Sequence, residues 1–136
     1  MIGLDTNVLV RYLVEDDKDQ SQRARAIVAQ LTAEEPGFIS LVTLLETIWL
    51  LQRSYKVDRL AIRRAMSTLV ASPALVIHEN AAVEEALAMA EAHDHDLPDA
   101  LLAVLGRRAG CAETMTFDRR AARLPGMTLV PPSLGG

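Results

Sequence analysis

A chain of 136 residues, half of them hydrophobic and with a net charge of −4, is expected to form one domain over 1–132 with a frayed tail at 133–136. Such a domain buries roughly two-thirds of the surface its unfolded chain exposes. The composition excludes a disordered chain, a disulfide scaffold, because Cys111 is the one cysteine, and a strongly basic nonspecific nucleic-acid binder.

The opening Met1-Ile2-Gly3-Leu4-Asp5 has no basic segment leading into an apolar one, so no signal peptide is expected. Residues 1–5 read as a short strand ending on Asp5, and 6–14 as a short helix. Asp16 and Asp17 precede a clearer helix at about 18–32, with Ala24, Ile27, Val28 and Leu31 on one face. Pro36-Gly37 breaks it, and Phe38-Ile39-Ser40 is a short strand. Residues 41–54 form a third helix. Its apolar run at 41–51 is interrupted by Thr43, Glu46 and Thr47 and is shorter than the roughly 18 residues a membrane span needs. Asp58 caps a fourth helix at about 59–71, whose apolar side carries Leu60, Ile62, Met66, Leu69 and Val70.

Ala74-Leu75-Val76-Ile77 has strand length, and Asn80 is a cap for a helix reaching about residue 92. His93-Asp94-His95-Asp96 reads as a polar break. Pro98 sits in the first turn of a helix at about 98–109, where its missing N–H costs nothing, and Gly110 ends that helix. Cys111 beside it reads as a small buried apolar group. Thr114–Phe117 is a strand ending on Asp118, 119–123 one helical turn, and Met127–Val130 a last strand. Pro131-Pro132 and Gly135-Gly136 mark the tail.

Strands alternating with helices argue for an α/β fold, a three-layer α/β/α sandwich around a short parallel sheet. In such folds ligands sit beyond the carboxyl ends of the strands, at the switch point of strand order. Asp5 and Asp118 each lie at such an end. If their strands are neighbours there, both enter one crevice.

Four carboxylates carry the functional reading. Asp5 is either the N-cap of the first helix or a metal ligand, and one role does not exclude the other. Glu46 lies on a helix apolar in nearly every direction, with Thr43 and Thr47 its only polar neighbours at helical spacing. Either it is buried and needs a partner, an arginine, a proton or a metal, or it points outward along an exposed polar stripe, and burial is the expectation. Asp99 is locally an ordinary first-turn acid that complements the helix dipole, and Asp96 a capping residue or a support for the site. Asp118 caps a turn at a strand end. Four acids at element edges match the oxygen ligands that hard divalent cations prefer.

The segments Ile2-Gly3-Leu4-Asp5-Thr6-Asn7-Val8-Leu9, Glu46 in its apolar helix, Asp96-Leu97-Pro98-Asp99-Ala100-Leu101-Leu102-Ala103 and Thr116-Phe117-Asp118-Arg119 resemble, in order and over essentially the whole chain, the PIN-domain ribonucleases. More narrowly they resemble the VapC-type toxins of bacterial toxin–antitoxin pairs. The resemblance implies a metal-dependent endoribonuclease, a hydrolase using Mg²⁺ with Mn²⁺ able to substitute. Its acidic set is Asp5, Glu46, Asp99 and Asp118, with Asp5 and Asp99 the direct ligands and Asn7 and Thr116 orienting the acids. It also implies a cytoplasmic homodimer held inactive by a small antitoxin protein, with RNA as substrate. Pro98 departs from the residue usual before the third acid and stiffens the helix start.

Three other readings compete. A haloacid-dehalogenase-like phosphatase needs an acid where Asn7 stands. A zinc site on His93, Asp94 and His95 lacks a further histidine or cysteine nearby. A non-catalytic PIN-like module acting through dimer and partner contacts leaves the complete acid set unexplained. Arg11, Arg53, Lys56 and Arg119 are candidate RNA contacts, and each paired arginine, such as Arg107-Arg108, reads equally as a solvated helix face.

Overall fold

Three short strands lie side by side in parallel, β1 (Ile2–Gly3), β2 (Gly37–Ile39) and β3 (Leu75–Ile77), in the order β1-β2-β3. Ile2 is level with Gly37, and Gly37 with Leu75. The computed structural model describes residues 1–133; the rest of the expected tail lies outside the described residues. The chain divides into two units, Met1–Asn80 and Ala81–Gly136.

The first unit holds α1 (Thr6–Leu13), α2 (Lys18–Ala29), α3 (Leu41–Arg53) and α4 (Arg59–Ala71) with the three-stranded sheet. Side chains fix where each helix begins. Asp5, Asp17, Ser40 and Asp58 accept the backbone N–H three residues ahead, satisfying donors that no carbonyl reaches. Two of these caps lie just beyond strands: Asp5 two residues after β1 and Ser40 immediately after β2. The chain thus leaves two neighbouring strands at their carboxyl ends and enters α1 and α3, which pack on each other. Leu9, Ile39, Leu44, Ile48, Ile62 and Met66 are buried in this unit. Leu60, expected on the apolar side of α4, is exposed.

The second unit holds nearly all of α5 (Asn80–His93), then α6 (Leu97–Arg108), β4 (Thr114–Thr116), a single 3₁₀ turn (Ala121–Arg123) and β5 (Met127–Leu129). β4 and β5 pair in parallel, Thr114 level with Met127. Val83, Leu97, Leu101 and Val104 are buried here. The expected α/β class with parallel strands is what the chain adopts, with six α-helices among the described residues.

Both long helices of this unit end in the same way. After α6, Gly110 takes φ +99°, its N–H reaches the Arg107 carbonyl at 3.0 Å, and Cys111 N–H reaches Gly106 at 2.9 Å. After α5, Asp94 takes φ +47°, its N–H reaches Glu91 at 3.3 Å, and His95 N–H reaches Ala90 at 2.9 Å. Each is a Schellman closure, in which one left-handed residue lets two N–H groups cap the last carbonyls. Gly110 was expected to act so. Asp94, inside a polar break, was not.

Three local expectations are corrected. Cys111 is exposed rather than a buried apolar group, because it follows the closure of α6 outward. Asn80 does not cap α5; its Oδ1 is buried and accepts no hydrogen bond among the described residues. Glu46 is exposed rather than buried. The reason lies in the pitch of α3. Its buried arc runs through Thr43, Thr47, Leu51, Leu44 and Ile48, and the two threonines tolerate it because Thr47 Oγ1 donates to the Thr43 carbonyl at 2.7 Å. Glu46 falls on the opposite side, with Val42, Trp49 and Arg53 at the i, i+4, i+7, i+11 positions of one stripe.

Candidate functional site

The first unit contributes Asp5 and Glu46. Asp5 is fixed by its capping role: Val8 N–H donates to Asp5 Oδ1 at 3.1 Å, and the side chain stays exposed. Among the described residues its second oxygen accepts no hydrogen bond. Asn7, the second residue of α1, is exposed, and its side chain makes no hydrogen bond among the described residues. Both line a groove of about 280 Å³ between α1 and α2, with Arg11, Gln20, Arg23 and Ile27.

Arg11 does not offer a loose charge to this groove. Its guanidinium contacts Asp16 Oδ1 at 2.5 Å, the Tyr55 hydroxyl at 3.3 Å and Gln20 Oε1 at 2.8 Å, while Tyr55 donates to Asp16 Oδ2 at 2.7 Å. The Tyr55 hydrogen bond first, and Arg11 second, hold the Asp16 carboxyl below its ordinary range. Of the other candidate RNA contacts, Lys56 and Arg119 are exposed, and Arg53 lies over the Trp49 ring at 5.4 Å. Arg107 and Arg108 both pair with Glu85, which explains that arginine pair as a structural one.

The second unit contributes Asp99 and Asp118 and brings a third group to them. Asp96 stands at the N-cap of α6 in extended conformation without a capping bond from its side chain, and Pro98 follows in the first turn. Asp99 points one oxygen, Oδ2, at Nε2 of His95, 2.8 Å away. His95 is only 5% exposed. A solvent-facing acid is therefore anchored on a buried imidazole that the sequence left in a loop. The signal was available: an aspartate at the end of an apolar helix stripe tolerates the left-handed conformation, and the residue after such a closure turns back toward the helix.

Asp118 sits in the turn after β4. Thr116 Oγ1 accepts the Asp118 backbone N–H at 3.0 Å, and Asp118 Oδ1 accepts from Arg120 N–H at 2.8 Å and Ala121 N–H at 3.1 Å. The Ala121 and Arg120 N–H groups hold its carboxyl below the ordinary range, desolvation opposes them, and the charges of His95 and Arg120 add to the lowering. Thr116 thus holds the backbone of the turn that carries Asp118. β1 pairs with β2 and β4 with β5, so the strand-end acids Asp5 and Asp118 belong to different sheets.

One pattern is common to three of the four acids. Asp5, Asp99 and Asp118 each commit one carboxylate oxygen to the protein, and the other accepts no hydrogen bond among the described residues. Glu46 commits neither. A carboxylate oriented through one oxygen and open at the other suits a hard divalent cation, which prefers oxygen donors. Among the described residues no three His, Cys, Asp or Glu side chains are grouped to hold an ion. Magnesium, which takes one or two carboxylates and completes its shell with water, is chemically compatible with such a donor set. Among the described residues no helix is long and apolar enough to cross a membrane.

Among solved structures, the chain is similar to the crystal structure of Mycobacterium tuberculosis VapC20, described as a sarcin-ricin loop cleaving toxin. The two share 20% identity over 90% of this chain and 93% of that one, with a TM-score of 0.45. No curated protein matches the sequence. The PIN domain family matches residues 2–127, a span that takes in all four acids; this chain belongs to the PIN domain family.

Proposed function

We propose that this PIN-domain chain is a metal-dependent endoribonuclease that hydrolyses RNA phosphodiester bonds and acts as the toxin of a type II toxin–antitoxin pair. The observation that carries the reading is the shared state of Asp5, Asp99 and Asp118, each anchored through one oxygen and open at the other, within the span that the PIN domain family matches. Mg²⁺, or Mn²⁺ in its place, supplies an acidified water and offsets the phosphate charge when bound. Asp5 and Asp99 are the proposed direct ligands, Glu46 supports them, and Asp118 acts through water or a second metal ion. Thr116 orients Asp118, while Asn7 and Asp96 complete the polar surroundings. No side chain serves as nucleophile.

The chain acts as a single domain in this reading, in keeping with the family match over 2–127. The exposed stripe of α3, with Val42 67% and Trp49 56% exposed, supports a homodimer through that face. A cognate antitoxin covers the acids until it is removed. The lone cysteine, exposed and unpaired, suits a reducing cytoplasm.

The test is cleavage of RNA by purified chain freed of any partner. Cleavage is expected with Mg²⁺ or Mn²⁺, to stop with EDTA, and to vanish in Asp5→Asn and Asp99→Asn. Equal cleavage by parent and both variants would assign the activity to a contaminant and leave a non-catalytic module.

A further inference from the structure

We infer that His95 is a positioning residue: its buried ring fixes the Asp99 carboxylate through Nε2, and Arg120 ties the Asp94 corner that precedes His95 to the turn of Asp118. This rests on the nuclease reading, in which Asp99 is a ligand.

The contact joins two unlike surroundings. The His95 ring is almost sealed from solvent, whereas the Asp99 side chain is 32% exposed. An ionised carboxylate only accepts, so Nε2 carries the hydrogen at the 2.8 Å contact. The bond holds Asp99 through one oxygen, and the other accepts no hydrogen bond among the described residues. A carboxylate free to rotate about its last bonds loses that freedom when it takes a cation, whereas one already held loses less. Hydrogen-bonded partners of ligating carboxylates act on metal affinity in this way.

The backbone, rather than α6 alone, sets the ring. The left-handed Asp94 reverses the chain, and His95 N–H closes on the Ala90 carbonyl at 2.9 Å, so the backbone from which the ring extends is fixed before α6 begins. Arg120 grips the same corner. Its Nη2 donates to the Asp94 carbonyl at 3.1 Å, while its backbone N–H donates to Asp118 Oδ1 at 2.8 Å. One residue therefore touches both the corner that holds His95 and the carboxylate of Asp118. No sequence motif of the family resemblance contains His95 or Arg120.

The experiment compares His95→Gln, whose amide N–H reaches about as far as Nε2, with His95→Asn, whose amide does not. Mn²⁺ binding is read by electron paramagnetic resonance of the free ion, alongside thermal unfolding and RNA cleavage. His95→Gln is expected to stay within about threefold of the parent, and His95→Asn to bind Mn²⁺ about 10–100-fold more weakly. Arg120→Ala is expected to weaken binding in the same direction. Binding equal to the parent in both His95 variants overturns the positioning role, and so does equal weakening in both, which marks a merely structural residue. Parent and Asp99→Asn binding Mn²⁺ alike would instead defeat the nuclease reading itself. Should the His95 variants not fold, the parent decides: the His95 Nε2 nitrogen resonance must shift on Mg²⁺ titration, and an unmoved resonance overturns the inference.

Discussion

Gly106 on α6 faces Thr114 at the start of β4 so closely that a Cβ at Gly106 would stand 2.3 Å from Thr114 Oγ1. A glycine in a helix interior normally weakens it by about 1 kcal/mol relative to alanine. Here the close approach decides the sign. Thr114 is β-branched and stiff about its first torsion, and its backbone N–H is held by the Gly126 carbonyl at 2.8 Å. Overpacking costs roughly 1–3 kcal/mol, more than the helix gains. Gly106→Ala is therefore expected to lower stability by about 1 kcal/mol in urea unfolding; a gain would show that the Thr114 hydroxyl simply turns away.

Gly110 makes the opposite case. Nothing stands within 4 Å of a Cβ placed there, yet its φ is +99°. Gly110→Ala is expected to cost roughly 1–2 kcal/mol through backbone strain alone, and Gly110→Asn less, since asparagine tolerates the left-handed region. Equal loss in the two variants would point to a contact rather than to backbone conformation.

Thr116→Val removes the oxygen that accepts the Asp118 N–H and keeps the side-chain shape. RNA cleavage is expected to fall about 10–100-fold, as for other groups that orient a ligand, while thermal stability drops by only a few degrees. A cleavage rate equal to the parent's would remove Thr116 from the site.

The Tyr55–Asp16–Arg11 network gives a pH signature. The carboxyl of Asp16 lies below its ordinary value of 3.8, first through the Tyr55 hydrogen bond and then through Arg11. A lowered folded-state value means a contribution present above the ordinary value and lost as pH falls through the lowered one. Tyr55→Phe removes the larger cause. The gap in melting temperature between parent and variant should therefore narrow as pH is taken from about 6 to about 3. A gap that widens in acid contradicts the sign.

Trp49→Glu tests the exposed face of α3. Light scattering is expected to give a dimer for the parent and a monomer for the variant, with the variant's fold intact because Trp49 is mostly exposed. A parent that remains monomeric at about 100 μM, with affinities of that face weaker still, removes the dimer proposal.

Much of this fold was legible because local rules and global packing agree. The caps Asp5 and Asp58 and the left-handed Gly110 stand where their residue types predict. Glu46 departs from its expected burial for a definable reason. Spacing alone grouped it with Thr43 and Thr47, but threonine hides its hydroxyl against its own helix and glutamate cannot, so the apparent stripe divides at the edge of the buried arc. The role of His95 depends on the φ of Asp94 and on a contact four residues ahead, neither of which leaves a periodic trace.

The two parallel pairings span very different stretches of chain. Ile2 must find Gly37 and Gly37 must find Leu75, whereas Thr114 needs only to find Met127. Closing the shorter loop is cheaper by roughly 1 kcal/mol. The order of assembly during folding follows: β4 and β5 can meet while the amino-terminal strands are still searching for each other, so the corner that carries Asp118 is born early and the one that carries Asp5 late.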